Sequence, residues 1–153
     1  MVQLRRAERR HKLTTGDYGR LAAFRYALRS FLRFSEDAAA RVGLTGQHYQ
    51  ALLVLRACPE DGRVTINDLA QELLLKHNSA VELVDRLVRQ GLLAREPSTA
   101  DRRKVELRLT SRGRQVLAKL AAMHRAELHR VAPLLRSFFS ELARPPGNSG
   151  PGS

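Results

Sequence analysis

A chain of 153 residues that is 43% hydrophobic can bury a real core, as one domain or as two small lobes sharing a long helix, and is not a disordered polymer. Lysine and arginine outnumber aspartate and glutamate by 27 to 15, a net charge of +12 that favours an anionic partner, nucleic acid ahead of an acidic membrane surface. A single Cys excludes an internal disulfide framework and a Cys-rich zinc site, and no apolar run approaches the about 18 residues a bilayer span requires, so a cytoplasmic protein with no membrane partner is expected.

Residues 1–13 carry Arg5, Arg6, Arg9, Arg10 and Lys12 and read as a flexible basic arm. From Asp17 to Arg41, the apolar residues Leu21, Phe24, Leu28, Phe31 and Leu32 recur at helical spacing, which predicts a long amphipathic helix ended by Gly43. Thr45 is placed to cap the next helix, closed by Cys58-Pro59 and the turn residues Asp61-Gly62. Arg63-Val64 is a short extended piece able to pair as a small strand, and Thr65 caps a second short helix, "INDLAQELL".

The segment "KHNSAVELVDRLVRQG" has the sharpest pattern in the chain. At 100° per residue, Ala80, Leu83, Val84, Leu87 and Val88 fill one arc, and Asn78, Ser79, Glu82, Asp85, Arg86 and Arg89 fill the opposite one, before Gly91 stops the helix. Two short helices joined by about three residues, the second with an uninterrupted polar face, make a helix-turn-helix, although an ordinary surface helix of a bundle would read the same way. The next residues separate the two. "LLARE" and "VELRL" are strand candidates, the latter with Val105, Leu107 and Leu109 inward and Glu106 and Arg108 outward. A hairpin placed there is a wing, and its tip sets Arg102, Arg103 and Lys104 where no core can reach them. Beside a helix sized for the major groove, such a cationic tip suits phosphates or the adjacent minor groove; the alternative is a solvated turn.

After the wing, Thr110 can cap a long helix with the stripe Val116, Leu117, Leu120, His124 and Leu128. Pro133 is expected to interrupt it and to start another helix, "PLLRSFFSEL", rich in Leu134, Leu135, Phe138, Phe139 and Leu142. The helices at both chain ends have too little winged domain to cover them, and a second copy of the chain is the expected partner. The fold expected is mostly α with a small β-wing: an N-terminal dimerisation helix over 14–44, a winged helix-turn-helix over 45–110, C-terminal dimerisation helices over 111–143, and a Pro/Gly/Ser-rich disordered tail over 144–153.

"LTGQHYQALLVLR", "TINDLAQELLLKHNSAVELVDRLVRQGLLARE" and "DRRKVELRLTSRG" resemble, in order and spacing, the multiple-antibiotic-resistance-regulator (MarR) family of winged-helix transcription factors over roughly residues 44–120. The resemblance implies a homodimer binding a pseudo-palindromic double-stranded operator, usually as a repressor released by a small anionic or phenolic effector or by thiol oxidation. It places Asn78, Ser79 and Glu82 where the family's recognition helix reads base edges. Arg86 falls in the Asp-Arg-Leu element, for phosphate contact or for pairing with Asp85 or Asp101. Asp101 and Arg103 match the wing's Asp-x-Arg pair, in which the Asp orients the Arg entering the minor groove. The chain departs from the pattern at Leu74, where Gly is common in the turn, and at Lys76, where Ser or Thr usually caps the recognition helix; Lys76 and His77 are then candidates for phosphate contact.

Other tempting residues have plainer readings. Cys58 lies at the end of the second helix, away from the sensing thiols of redox-responsive relatives, and reads as a small buried hydrophobe. The five His make no metal-binding set, and His124 reads as a core or interface residue. An effector pocket would lie near Phe24, Phe31, His48 and Tyr49, unless these simply fill the core. No nucleophile elbow, P-loop or dinucleotide fingerprint occurs, so neither catalysis nor a cofactor is expected. Two functions compete: a sequence-specific dimeric transcriptional regulator, and a low-specificity or architectural nucleic-acid binder using the same basic surface.

Overall fold

The computed structural model describes residues 13–58 and 64–142. The basic arm, the turn after Cys58 and the Pro/Gly/Ser-rich tail lie outside the described residues, apart from Leu13 of the arm. Seven elements follow in order: α1 (Thr15–Ala40), α2 (Gly46–Ala57), α3 (Ile66–Glu72), α4 (His77–Arg89), β1 (Leu93–Pro97), β2 (Val105–Leu109) and α5 (Ser111–Leu142). The chain divides into two compact units, residues 32–127 and, separately, residues up to 31 with those from 128 on.

In the larger unit the helix starts are built by capping boxes. The Thr45 hydroxyl accepts from the His48 N–H while the Thr45 N–H donates to His48 Nδ1; Thr65 and Asp68 repeat the arrangement at α3. Three helix ends share one device. Leu44, Leu75 and Leu92 donate back to the carbonyls of Ala39, Ala70 and Leu87, while Gly43, Leu74 and Gly91 donate to Ala40, Gln71 and Val88, the paired bonds of a Schellman motif. The residue before each leucine has a positive φ: 74° at Gly43, 54° at Leu74 and 70° at Gly91. The turn of the helix-turn-helix is therefore a glycine-type stop executed by a leucine, whose side chain is left 93% exposed.

The core of this unit gathers the apolar arc of α4 with residues of α2, α3, the wing base and α5. Leu52, Leu69, Leu87, Leu120 and Val84 are its largest fully buried side chains, each stabilising the fold by about 1.5–3 kcal/mol. The predicted arc of α4 is observed: Ala80, Leu83, Val84 and Leu87 are buried and Val88 is half-buried. At α5, Thr110 Oγ1 accepts from the Gly113 N–H at 2.9 Å and donates to the Gly91 carbonyl at 2.6 Å. Gly113 is required there, because a Cβ would stand 2.1 Å from the Leu92 carbonyl oxygen.

Two expectations are corrected. Pro133 does not start a new helix; α5 runs through it from Ser111 to Leu142. The ring removes an N–H and crowds the preceding turn, but packing on both sides of it holds the helix: Val131 is buried, and Phe138 stacks on Phe24 of α1 with centroids 4.4 Å apart. The inward and outward assignment of β2 also changes. Glu106 is buried and Val105 exposed, because the antiparallel register pairs Val105 with Pro97 at the tip end of the ribbon, beyond the core. Glu106 lies across from Glu96, and the Arg108 guanidinium sits between them, 2.7 Å from Glu96 and 3.9 Å from Glu106. The extended piece before Thr65 does meet the wing, through a 2.9 Å bond from the Leu107 N–H to the Val64 carbonyl; Arg63 is outside the described residues.

Candidate nucleic-acid interface

Because α4 buries one arc, its other arc has to face outward. Lys76, His77, Asn78, Ser79, Glu82 and Arg86 are all exposed. Lys76 occupies the cap position without a side-chain hydrogen bond to the helix. Arg86 forms no ion pair with Asp85 or Asp101 among the described residues. Asp85 pairs instead with Arg95, which ties β1 to α4.

The wing tip is ordered by hydrogen bonds. Ser98, itself buried, accepts at its hydroxyl from the N–H groups of Ala100 and Asp101, each at 3.3 Å. Ser98 also donates its N–H to the Lys104 carbonyl, and Lys104 donates to Asp101, both at 2.9 Å. Asp101 meets Arg103, but through the backbone: its Oδ1 accepts from the Arg103 N–H at 3.1 Å. The expected orientation of the Arg103 side chain by the Asp101 carboxylate is thus replaced by orientation of the turn that carries it. Asp101, Arg102, Arg103 and Lys104 are exposed.

Helix and wing meet at a groove of about 410 Å³, which brings His77, Arg103 and Lys104 together with Thr65, Asn67 and Asp68 of the α3 start. Within it, His77 Nδ1 lies 2.7 Å from Asn67 Oδ1. The Asp68 carboxyl is held below its ordinary range, first by the Thr65 backbone N–H, then by the Thr65 hydroxyl, with Lys104 adding a favourable charge. Ser98 and Asn67 were not evident as site residues in the sequence: Ser98 reads there as one more turn residue, and Asn67 as one more polar position on a short helix.

The other sequence candidates separate between the units. His48, Tyr49 and His124 belong to the core of the larger unit. His124 Nδ1 lies 2.7 Å from the Leu120 carbonyl, which can only accept, so that nitrogen carries a hydrogen; Nε2 lies 2.8 Å from the Ser35 hydroxyl, and the ring stacks on Tyr49 at 4.0 Å. Burial lowers the His48 pKa, with Arg86 adding to the effect and Glu36 opposing it. Phe24 lies in the smaller unit, against Phe138 and Phe139. Cys58 is half-buried against the core.

A helix-turn-helix followed directly by a basic two-stranded wing defines a winged helix-turn-helix protein. Residues 42–104 match the model of the MarR family. It is 29% identical over 84 residues to the HTH-type transcriptional repressor MdtR of Bacillus subtilis (strain 168); the match covers 55% of this chain and spans about half, 54%, of that protein's length. Among solved structures it is similar to AbsC, a MarR family transcriptional regulator from Streptomyces coelicolor, with a TM-score of 0.66 and 24% identity over 88% of this chain and 86% of that one. It is also similar to the transcriptional repressor CouR bound to a 23-mer DNA duplex, with a TM-score of 0.63 and 26% identity over 88% of this chain and 100% of that one. These relatives are transcription regulators rather than enzymes. No helix among the described residues is long and apolar enough to cross a membrane.

Proposed function

We propose that this protein is a sequence-specific, DNA-binding transcriptional regulator: a homodimeric repressor of a pseudo-palindromic operator, released by a small anionic or phenolic effector. The observation that carries DNA binding is the exposed polar arc of α4, from Lys76 to Arg86, standing beside an ordered basic wing tip. In this reading Asn78, Ser79 and Glu82 meet base edges in the major groove, where amide, hydroxyl and carboxylate groups distinguish base pairs. Lys76, His77, Arg86, Arg102 and Lys104 serve phosphates, and Arg103 enters the flanking minor groove, whose negative potential is strongest over A·T-rich sequence. Relief by an effector rests on the family resemblance.

Arg103→Ala tests the wing. It should weaken duplex binding and reduce the log K versus log salt slope by about one unit per protomer, with a larger loss on A·T-flanked than on G·C-flanked sites. Arg103→Lys should restore only part, since Lys keeps the charge without the planar fork. Asp101→Ala should reproduce part of the loss by loosening the tip. Titrations across a salt series measure all three; wild-type behaviour of Arg103→Ala at every salt concentration would make the tip a solvated turn.

A further inference from the structure

The groove between α3, the start of α4 and the wing contains a feature that exposed basic residues alone would not create: a histidine on the recognition helix gripped by an amide from the preceding helix. We propose that this groove seats a backbone phosphate of bound duplex DNA, that Asn67 is the positioning residue which sets the His77 ring, and that seating the phosphate takes up a proton on His77. The inference rests on the DNA-binding reading above and extends it to the protonation state of one contact.

The argument begins with donor and acceptor roles. Asn67 Oδ1 can only accept, so the 2.7 Å contact requires the hydrogen to sit on His77 Nδ1. In the neutral ring Nε2 is then a bare acceptor, which a phosphate oxygen repels. In the protonated ring Nδ1 still donates to Asn67 and Nε2 becomes a second donor, now charge-assisted toward phosphate. One hydrogen bond thus fixes both the ring and the single nitrogen whose state decides whether an anion is welcomed. The surroundings favour the anion. Arg103 and Lys104 line the same groove, and its carboxylate, Asp68, already has Oδ2 engaged by the Thr65 N–H at 2.8 Å and the Thr65 hydroxyl at 2.7 Å. Of the ionisable residue types facing His77 here, Asp from α3 and Arg and Lys from the wing, none ordinarily titrates between pH 6 and 8, whereas histidine does.

The test is the pH dependence of binding to a mixed-sequence DNA duplex at fixed salt, with the intact chain. Wild-type affinity should rise from pH 8 to pH 6, by up to about tenfold per pH unit for each proton taken up. His77→Gln, which can still donate but cannot titrate, should flatten the profile. Asn67→Asp should move its midpoint to higher pH, because a carboxylate beside Nδ1 favours the charged ring; a merely structural Asn67 would leave the midpoint in place. Nuclear magnetic resonance of the wild-type His77 ring supplies a reading independent of variant folding: its titration midpoint should rise when duplex is added. A flat wild-type profile, a slope unchanged in His77→Gln, or a His77 midpoint indifferent to duplex overturns the inference while leaving DNA binding intact. Absence of duplex binding at every pH and salt removes the DNA-binding reading, and this inference with it.

Discussion

His48 does two jobs that both require the neutral ring, capping α2 and lying in the core, and pH should expose that requirement. Its Nδ1 accepts from the Thr45 N–H at 3.0 Å, and the ring is buried. Burial chiefly, and then Arg86, lower its pKa against the opposing pull of Glu36. The folded protein therefore binds fewer protons at this site than the unfolded chain. The stabilisation is complete above the ordinary histidine range and is lost as pH falls through it toward the lower folded value. Gln at this third helical position retains a cap acceptor without titrating. His48→Gln should accordingly show a shallower loss of stability than wild type between pH 7.5 and 5.5, measured by urea unfolding. Equal slopes would assign the acid sensitivity elsewhere. The sequence identified Thr45 as a cap but not His48 as its reciprocal partner, since a histidine imitates the usual Glu or Gln only once its ring is known to turn back.

At the level of elements, the turn between α3 and α4 is where local preference yields to tertiary need. Leu74 sits at φ 54°, a region that costs an ordinary residue about 1–2 kcal/mol and glycine almost nothing. The backbone accepts this because Leu75 must follow the turn inward and its N–H must reach the Ala70 carbonyl, at 2.8 Å. The exposed Leu74 side chain offers little burial in return. Leu74→Gly should therefore leave the fold unchanged and raise stability by up to about 1 kcal/mol, read from the midpoint of chemical unfolding. A loss of more than that would mean the leucine is covered in solution. The sequence exposed the oddity, a leucine where this turn commonly has glycine, and structure supplies its geometry. Other elements were legible for simple reasons: α4 from its two arcs, α1 and α5 from long apolar stripes, and the ends at Gly43 and Gly91 from residue type. The run of α5 through Pro133 and the burial of Glu106 were not legible, because each depends on partners outside its own segment, Phe24 for one and the cross-strand register that sets Glu106 opposite Glu96 for the other. The same holds for the site. The exposed face of α4 followed from periodicity, whereas Asn67, Ser98 and the Asp85–Arg95 pair emerge only once helix and wing are placed side by side.

For the whole molecule, the stripe expected on α1 remains largely uncovered among the described residues: Leu21 and Leu28 are 43% and 45% exposed, and Leu134 and Phe139 of α5 are 61% and 56% exposed. A second copy covering these faces is the dimer proposed above. Phe139→Glu would place an unpaired charge in that contact and should give monomer or insoluble chain, with wild type dimeric in light scattering at micromolar concentration. A soluble dimeric Phe139→Glu would move the interface elsewhere. Dimerisation also governs recognition, because two α4 helices related by a two-fold axis can read only sites with the same symmetry. The central claim, that the exposed arc of α4 and the basic wing read a specific operator, is tested most directly by selecting bound sequences from random DNA duplexes with the intact protein. The account predicts an enriched dyad whose half-sites lie about 10 bp apart, centre to centre, bound roughly 10³-fold or more tighter than bulk duplex. Recovery of sequences without a dyad, or with no preference over the starting pool, would contradict it and leave a basic protein that holds nucleic acid without reading it.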